Sequence, residues 1–207
     1  NEGLAVVYAE NPIVKQNGSD IPFSGLGVSM GGGMINVCFA FRGMSLVEFS
    51  VANAFNMNEG SGGDWIDAQV SKSNALMTKS QVSKFKETYL DFSMDLEELA
   101  AAITTNPKKL TKNIELLLAI DIYYRQLISY SFKCLAKEFK KSGETIDDPI
   151  EVVIAGGTAM PNGVEKIVKE EINKLELPFD VCNVRKASNP LYTVASGCLV
   201  SAISSTE

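Results

Sequence analysis

The chain has 207 residues, of which 45% are hydrophobic and 21% charged, the balance of an ordinary globular protein. Its net charge of −6 argues against a nucleic-acid groove or an anionic membrane as the main partner. No apolar run approaches the ~20 residues that span a bilayer.

The cysteine and histidine content argues against several kinds of catalytic and metal site. The chain has no histidine, which removes Ser-His-Asp and Cys-His catalysis and leaves little from which to build a zinc site. None of the four cysteines stands in a C-x-x-C pair, so we expect buried thiols in a reducing, cytoplasmic setting. They are Cys38, Cys134, Cys182 and Cys198.

The first part of the chain predicts three strands joined by tight turns. A glycine triplet, Gly31 to Gly33, separates the first two strands, and Arg42 and Gly43 separate the second from the third. Because such short turns join antiparallel neighbours, the three strands should form a meander. They are expected at residues 26–30, 35–41 and 44–52.

The remainder predicts helices alternating with short apolar strands. Residues 108–143 indicate a long helix, because apolar residues recur at helical spacing and Gly143 is a C-terminal stop. Residues 150–156 are apolar almost throughout, which is typical of a strand buried on both faces. Further helices are expected at 62–74, 78–92, 95–105, 162–175 and 189–204, the last with Pro190 in its first turn, and a strand at 179–184.

This order of elements predicts an α/β fold of the ribonuclease-H-like class. That fold has three antiparallel strands followed by two helix-linked parallel strands. Residues 72–107 do not fit such a core, so they are expected to form an inserted small helical lobe. The core would then comprise residues 1–71 and 108–207.

Two glycine clusters are candidates for binding an anion. A glycine-rich turn between strands lets backbone N–H groups converge on a phosphate with no Cβ in the way. The second cluster, Gly156 and Gly157, follows the apolar strand and precedes a helix, where nucleotides bind in open α/β sheets. A tight hairpin and a plain strand–helix turn are the alternatives for the two clusters.

Several motifs in order resemble the second domain of the actin, DnaK-type chaperone and sugar kinase ATPase superfamily, as in an actin-like or MreB-like protein. The start, "NEGLAVVYAEN", is similar to the helix that leads into that domain, with Gly3 in place of the usual proline. The other matching segments are "VSMGGGMINVCFAFRG" (second phosphate loop), "GGDWID" (glycine-acidic motif), "QVSKFKE" (small-lobe helix), "GGTAMPNGVEKIV" (adenosine motif) and "NPLYTVASGCL" (closing helix, whose alanine and glycine would allow tight interdomain packing).

The resemblance implies ATP or ADP in a cleft between two domains, with Mg²⁺ in the complete protein. Gly31, Gly32 and Gly33 would cradle the β- and γ-phosphates. Lys86 and Glu87 would lie near the ribose and adenine, although a solvated helix face explains them equally. Asp64 and Asp67 would contact the metal through water, or serve only as acids favoured by a helix N-terminus. The adenosine would be bordered by Gly156, Gly157, Thr158 and Met160.

The chain also departs from the family pattern. The first phosphate loop, a D-x-G-T/S hairpin, is not present. Either a first domain has been removed, which the start within a connecting helix favours, or the protein is natively half-sized. Ser29 and Asn36 occupy the usual metal and water positions, and Met34 replaces a threonine. Serine and asparagine supply no anionic charge to a metal, and no lysine flanks the glycine triplet. Nucleotide binding is therefore better supported than hydrolysis.

The expected function is the C-terminal nucleotide-binding half of an actin-like ATPase. Its expected partners are the nucleotide, the missing first domain and further copies in a filament. The alternatives are a degenerate scaffold or partner-binding module without turnover, and a chaperone-like or reactivase-type ATPase.

Overall fold

The computed structural model describes residues 1–10, 14–16, 19–21, 23–42, 44–51, 60–73 and 77–204. The chain begins with helix α1 (Glu2–Glu10), followed by a two-stranded antiparallel pair, β1 (Val14–Gln16) and β2 (Ser19–Ile21). The sequence analysis did not predict this small pair.

A five-stranded sheet forms the centre of the molecule. Its strands are β3 (Gly25–Met30), β4 (Ile35–Phe41), β5 (Met44–Ser50), β6 (Ile150–Ala155) and β7 (Val181–Lys186), in the order β5-β4-β3-β6-β7. The first three are antiparallel to one another, whereas β6 and β7 run parallel to β3. This topology confirms the predicted ribonuclease-H-like fold class.

Six further helices surround the sheet. They are α2 (Gly63–Ser73), α3 (Lys79–Tyr89), α4 (Leu96–Ile103), α5 (Pro107–Ser142), α6 (Val164–Asn173) and α7 (Thr193–Ser204), and a 3₁₀ turn spans Gly157–Ala159. The long helix α5 begins with Pro107 after the capping residue Asn106 and ends at Gly143, whose φ of 73° is left-handed. The predicted stop at Gly143 is confirmed, because glycine adopts this conformation without a Cβ penalty.

The three central strands, β3, β4 and β6, are buried on both faces, and side-chain alternation assigns each residue to one of them. Leu26, Val28 and Met30 of β3 face the large core that α2, α5 and α6 complete. Cys38 and Ala40 of β4 face the smaller core with α1. The centre of the sheet is therefore covered on both sides.

Helix α1 lies directly on the sheet because glycines remove the side chains between them. A Cβ on Gly27 would lie 2.2 Å from the carbonyl oxygen of Gly3, and one on Gly3 would lie 2.5 Å from the nitrogen of Cys38. A Cβ on Gly197 of α7 would lie 1.8 Å from the carbonyl oxygen of Ala5. The close packing expected of the last helix is thus made within this chain, against α1.

Some predicted boundaries are wrong. Strand β7 lies two residues later than predicted, and α7 begins at Thr193, so Pro190 precedes the helix instead of lying in its first turn. Two apolar residues assigned to the face of α5, Leu118 and Ile122, are exposed. The predicted end of the third strand, residue 52, lies outside the described residues.

Helices α3 and α4 fall in the segment predicted to be an inserted lobe, where α3 packs against α2 and α4 against α5. The division into core and lobe stays a prediction. Among the helices that the structure describes, none is long and apolar enough to cross a membrane.

Candidate functional site

The glycine triplet forms the turn between β3 and β4. The amide of Gly31 donates to the carbonyl of Met34 at 3.0 Å, which closes the turn. The carbonyls of Gly31 and Gly32 accept hydrogen bonds from the first two amides of α2 at 3.0 and 2.8 Å, and the carbonyl of Gly33 accepts one from Ser61 at 3.0 Å. In the described part of the chain the amides of Gly32 and Gly33 donate to no protein acceptor, so both are available to an anion.

The packing of this segment explains part of the glycine content. A Cβ on Gly62 would lie 2.4 Å from the carbonyl oxygens of both Gly31 and Gly32. In contrast, a Cβ on Gly33 would meet nothing within 4 Å. The fold therefore requires glycine at position 62, whereas at position 33 it leaves a side chain room.

The second glycine cluster lies beside the first at the carboxyl end of β6. The hydroxyl of Thr158 donates to the carbonyl of Gly31 at 2.9 Å and so joins the two loops. Gly156 has a φ of 94°, and a Cβ there would lie 2.5 Å from the carbonyl oxygen of Met30. Gly157 has open space where its Cβ would be, so its lack of a side chain is not a requirement of the fold.

The two loops border one pocket of about 510 Å³. Helix α2 supplies two aspartates, helix α3 supplies a lysine and a glutamate, and the 3₁₀ turn supplies Gly157 and Thr158. The lining residues are Gly32, Gly63, Asp64, Asp67, Ser83, Lys86, Glu87, Leu90, Tyr124, Gly157, Thr158, Met160, Pro161, Asn162 and Leu191.

Lys86 and Asp67 form a buried ion pair on the floor of this pocket. The Lys86 ammonium lies 2.7 Å from Asp67 Oδ1, and the two side chains are 10% and 7% exposed. Lys86 also donates to the carbonyl of Gly63 at 3.1 Å, which ties α3 to the start of α2. Burial raises the pKa of Asp67 above its usual value of 3.8, and the charge of Lys86 opposes that rise.

Tyr124 closes the base of the pocket from α5. Its hydroxyl donates to the carbonyl of Thr158 at 3.3 Å, and its ring lies 5.8 Å from the Lys86 ammonium. Burial raises the pKa of Tyr124, so its hydroxyl keeps its proton. Trp65, expected as a packing residue, is buried with its ring edge-on to Tyr123.

A carboxylate lies next to Ser29 and Asn36, the two positions at which this chain has no acidic residue of its own. Ser29 and Asn36 are paired across β3 and β4. Both donate to the carboxylate of Glu2, at 2.8 and 3.1 Å, and Ser50 donates to Asn36 Oδ1. Ser29 and Asn36 therefore hold the first acidic residue of α1 on the α1 face of the sheet, beside the glycine turn.

The structure brings most of the sequence-predicted site residues to the pocket. Gly32, Lys86, Glu87, Gly157, Thr158 and Met160 line it together with Asp64 and Asp67. Gly33 lines an adjoining pocket of about 510 Å³ that shares Asp64, Asp67 and Ser83. Gly31 and Gly156 build the loops, while Ser29 and Asn36 face Glu2 instead of the pocket.

Two features were missed. Lys86 was predicted as a site residue, but near the ribose and adenine; its contact with the carbonyl of Gly63, beside the glycine turn, was not predicted. Glu2 was not singled out, although the resemblance of residues 1–11 to the family's connecting helix marked the segment that carries it.

A family model described as Volactin matches residues 1–202. The chain belongs to the Volactin family. Among curated proteins, no sequence matches this Volactin-family chain.

Solved structures resemble the Volactin-family chain in fold. The ethanolamine utilization protein EutJ from Carboxydothermus hydrogenoformans superposes with a TM-score of 0.58 at 16% identity, over 97% of this chain and 54% of that one. The activator of the 2-hydroxyisocaproyl-CoA dehydratase from Clostridium difficile, solved with bound ADPNP, gives a TM-score of 0.49 at 16% identity, over 97% and 65%. The chain thus spans about half of EutJ. It has a ribonuclease-H-like fold.

Proposed function

We propose that this chain is the nucleotide-binding half of an actin-like ATPase and binds ATP or ADP in a cleft shared with another domain. One observation carries the proposal: the hydrogen bond from Thr158 to Gly31 joins two glycine loops that border the same pocket. The loops are 127 residues apart in sequence, and each leaves glycine surface bare where the fold itself would admit a side chain.

The phosphate end of the ligand is assigned to the β3–β4 turn. The amides of Gly32 and Gly33 have no protein acceptor among the described residues, and clustered backbone N–H groups form an anion-binding concavity. Lys86 lines the same pocket, where its ammonium is paired with Asp67. The nucleoside end is assigned to Glu87, Gly157 and Met160, which border the far side.

Asp64 and Glu2 are the carboxylates that would act on a Mg²⁺–nucleotide. Asp64 is exposed at the start of α2 and lines both pockets, so it fits a contact to metal-bound water. Asp67 fits less well, because its carboxylate is engaged by Lys86. The metal, when bound, would neutralise phosphate charge; Glu2, held by Ser29 and Asn36, would accept a proton from water.

The second candidate function is a scaffold that binds nucleotide without turnover. The observation in its favour is that Ser29 and Asn36, at the positions of the usual metal and water residues, carry no charge of their own. Glu2 separates the two candidates. In the full-length protein, Glu2→Gln should abolish phosphate release and leave ATP affinity within about twofold if Glu2 acts in hydrolysis. A scaffold would show no release in either form.

The binding test uses Gly157→Val, because a side chain at this position meets no protein atom within 4 Å. We expect the wild-type chain to bind ATP with a Kd on the order of 100 μM or weaker, since contacts from the other domain are missing. Gly157→Val should weaken binding at least tenfold, or about 1.4 kcal/mol, without changing the melting temperature. Calorimetry of both forms provides the measurement.

Ala101→Val, on the exposed side of α4, is the control because it places the same valine side chain away from the pocket. It should bind ATP like the wild type. Equal affinity of Gly157→Val and wild type would remove the pocket as the nucleotide site. Nanomolar affinity of the 207-residue chain would contradict the shared cleft.

A further inference from the structure

A basic groove lies on the molecule away from the candidate nucleotide pocket. It runs between the last turns of α5 and the segment that follows α6, and encloses about 710 Å³. Five lysines and one glutamate supply its charged rim, and alanine and leucine supply its apolar floor. The lining residues, called here the lysine groove, are Lys133, Ala136, Lys137, Lys140, Lys141, Lys174, Leu175, Glu176 and Leu177.

The lysines of this groove are an unusual concentration of positive charge. They are five of the 19 basic residues in a chain of net charge −6. Lys141 pairs with Glu138 at 2.6 Å, and Lys174 with Glu171 at 2.5 Å. Within the described parts of the chain, Lys133, Lys137 and Lys140 have no ion-pair partner, so their charge faces solvent.

Helix electrostatics explain only part of this arrangement. Lys140 and Lys141 lie in the last turn of α5, where cations complement the helix dipole. That effect fades within one turn, so it does not account for Lys133 and Lys137. Lys174 comes from a different element, at the end of α6. Like Lys140 and Lys141, it stands at a helix C-terminus, and it pairs with Glu171. Lys133 and Lys137 therefore need another reason to share the groove.

The floor adds a second requirement. Leu175 and Leu177 pack on the large core but stay partly exposed, so a ligand in the groove would cover apolar surface as well as meet the lysines. From Lys133 to Lys141 the helix rises about 12 Å, or roughly two turns. This length and the mix of apolar floor and charged rim are suited to one amphipathic helix.

We propose that the lysine groove binds an acidic amphipathic peptide segment of a partner protein. Apolar side chains spaced three and four residues apart would cover Leu175 and Leu177. Glutamate or aspartate flanking them would pair with Lys133, Lys137 and Lys140. The proposal is independent of nucleotide binding, because none of these residues lines the nucleotide pocket.

Two other anionic partners fit less well. Single-stranded nucleic acids are held by aromatic side chains on which bases stack, and no aromatic residue lines the groove. A bilayer surface is flat on the scale of this groove, so its headgroups would meet the lysine rim without covering the leucines on the floor. A peptide helix satisfies both the rim and the floor.

The test is fluorescence anisotropy with a labelled synthetic peptide that has leucine along one helical face and glutamate elsewhere. A second peptide with lysine in place of every glutamate is the charge control. The protein variant is Lys133→Glu with Lys137→Glu. The matched variant is Lys108→Glu with Lys112→Glu, which reverses two exposed lysines of the same spacing on the same helix.

We expect saturable binding of the acidic peptide by wild type, weakening as salt rises, and no binding of the lysine peptide. The groove variant should bind at least tenfold more weakly, because two attractions become repulsions. The Lys108 and Lys112 variant should stay within about twofold of wild type. Thermal melts of both variants should match wild type, since all four positions are exposed.

Three results would overturn the proposal. The first is no saturable peptide binding, or equal loss in both variants. The second is binding to phosphatidylserine vesicles or single-stranded DNA that the groove variant abolishes while the peptide does not bind. The third is reversible self-association of the chain alone in sedimentation, abolished by the groove variant, which would assign the groove to a second copy.

Discussion

Removing the charge of Lys86 should destabilise the protein in a pH-dependent way. In Lys86→Met the carboxylate of Asp67, 7% exposed, loses its partner. An unpaired buried charge costs about 3–5 kcal/mol, unless the group binds a proton instead. Protonating a carboxyl of ordinary pKa 3.8 at pH 7 costs about 4.4 kcal/mol, at 1.36 kcal/mol for each pH unit.

The cost of an unpaired buried charge and the cost of protonating Asp67 set the expected loss of unfolding free energy. At pH 7 the variant should lose about 3–4 kcal/mol of unfolding free energy relative to wild type. At pH 4.5 protonation costs only about 1 kcal/mol, so the loss should shrink to about that value. The sign follows from linkage. Burial raises the pKa of Asp67 and Lys86 opposes that rise, so removing Lys86 leaves the folded state binding this proton more tightly than the unfolded state. The stability of the variant therefore falls as pH rises above 3.8.

Urea unfolding of wild type and variant at both pH values measures this difference, and other titrating groups cancel in the subtraction. Lys141→Met is the control, because its ion pair with Glu138 is 58% and 38% exposed. Exposed pairs contribute about 0–1 kcal/mol, with little dependence on pH over this range. The reasoning fails if Lys86→Met costs no more than Lys141→Met at pH 7, or if its cost is the same at both pH values.

Two further predictions concern Ser29 and the cysteines. Ser29→Asp should lower the free energy of unfolding by about 2 kcal/mol or more, because the new carboxylate lies against Glu2 in a buried position. Ser29→Asn can still donate a hydrogen bond to Glu2 and should cost under about 1 kcal/mol. Equal losses for the two variants in urea titrations would contradict the Glu2 contact. A thiol reagent at pH 8 should modify Cys182 and Cys198, because both are exposed. Burial raises the pKa of Cys38 to about 11 and should delay its reaction until the protein unfolds. Mass spectrometry that finds Cys38 labelled first would contradict its burial.

Local sequence patterns were sufficient for most of the fold. The buried strand β6 and the long helix α5 follow from an apolar run and from helical spacing, each a property of neighbouring residues. The start of α7 does not. The carbonyl of Pro190 accepts a hydrogen bond from the amide of Gly156 at 2.8 Å, in place of one from a helical amide. The helix therefore begins three residues after Pro190. That partner lies 34 residues earlier in the chain.

Local sequence patterns also predict some features of the candidate site and not others. Glycine-rich loops at strand ends have a local signature, and the structure places both loops at one pocket. The ion pair between Lys86 and Asp67 joins two helices, and the contact from Ser29 to Glu2 spans 27 residues. No local pattern encodes such pairings, since they depend on how α1, α2 and α3 pack around the sheet.

The central claim is that a nucleotide binds across the two glycine loops. An amide NMR titration of the isotopically labelled chain with Mg²⁺-ATP tests it most directly, because it reports every loop amide at once. We predict saturable shifts at Gly32, Gly33 and Gly157, with no change at Lys137 and Lys174 of the lysine groove. Shifts confined to the lysine groove, or none at all at millimolar ATP, would contradict the account.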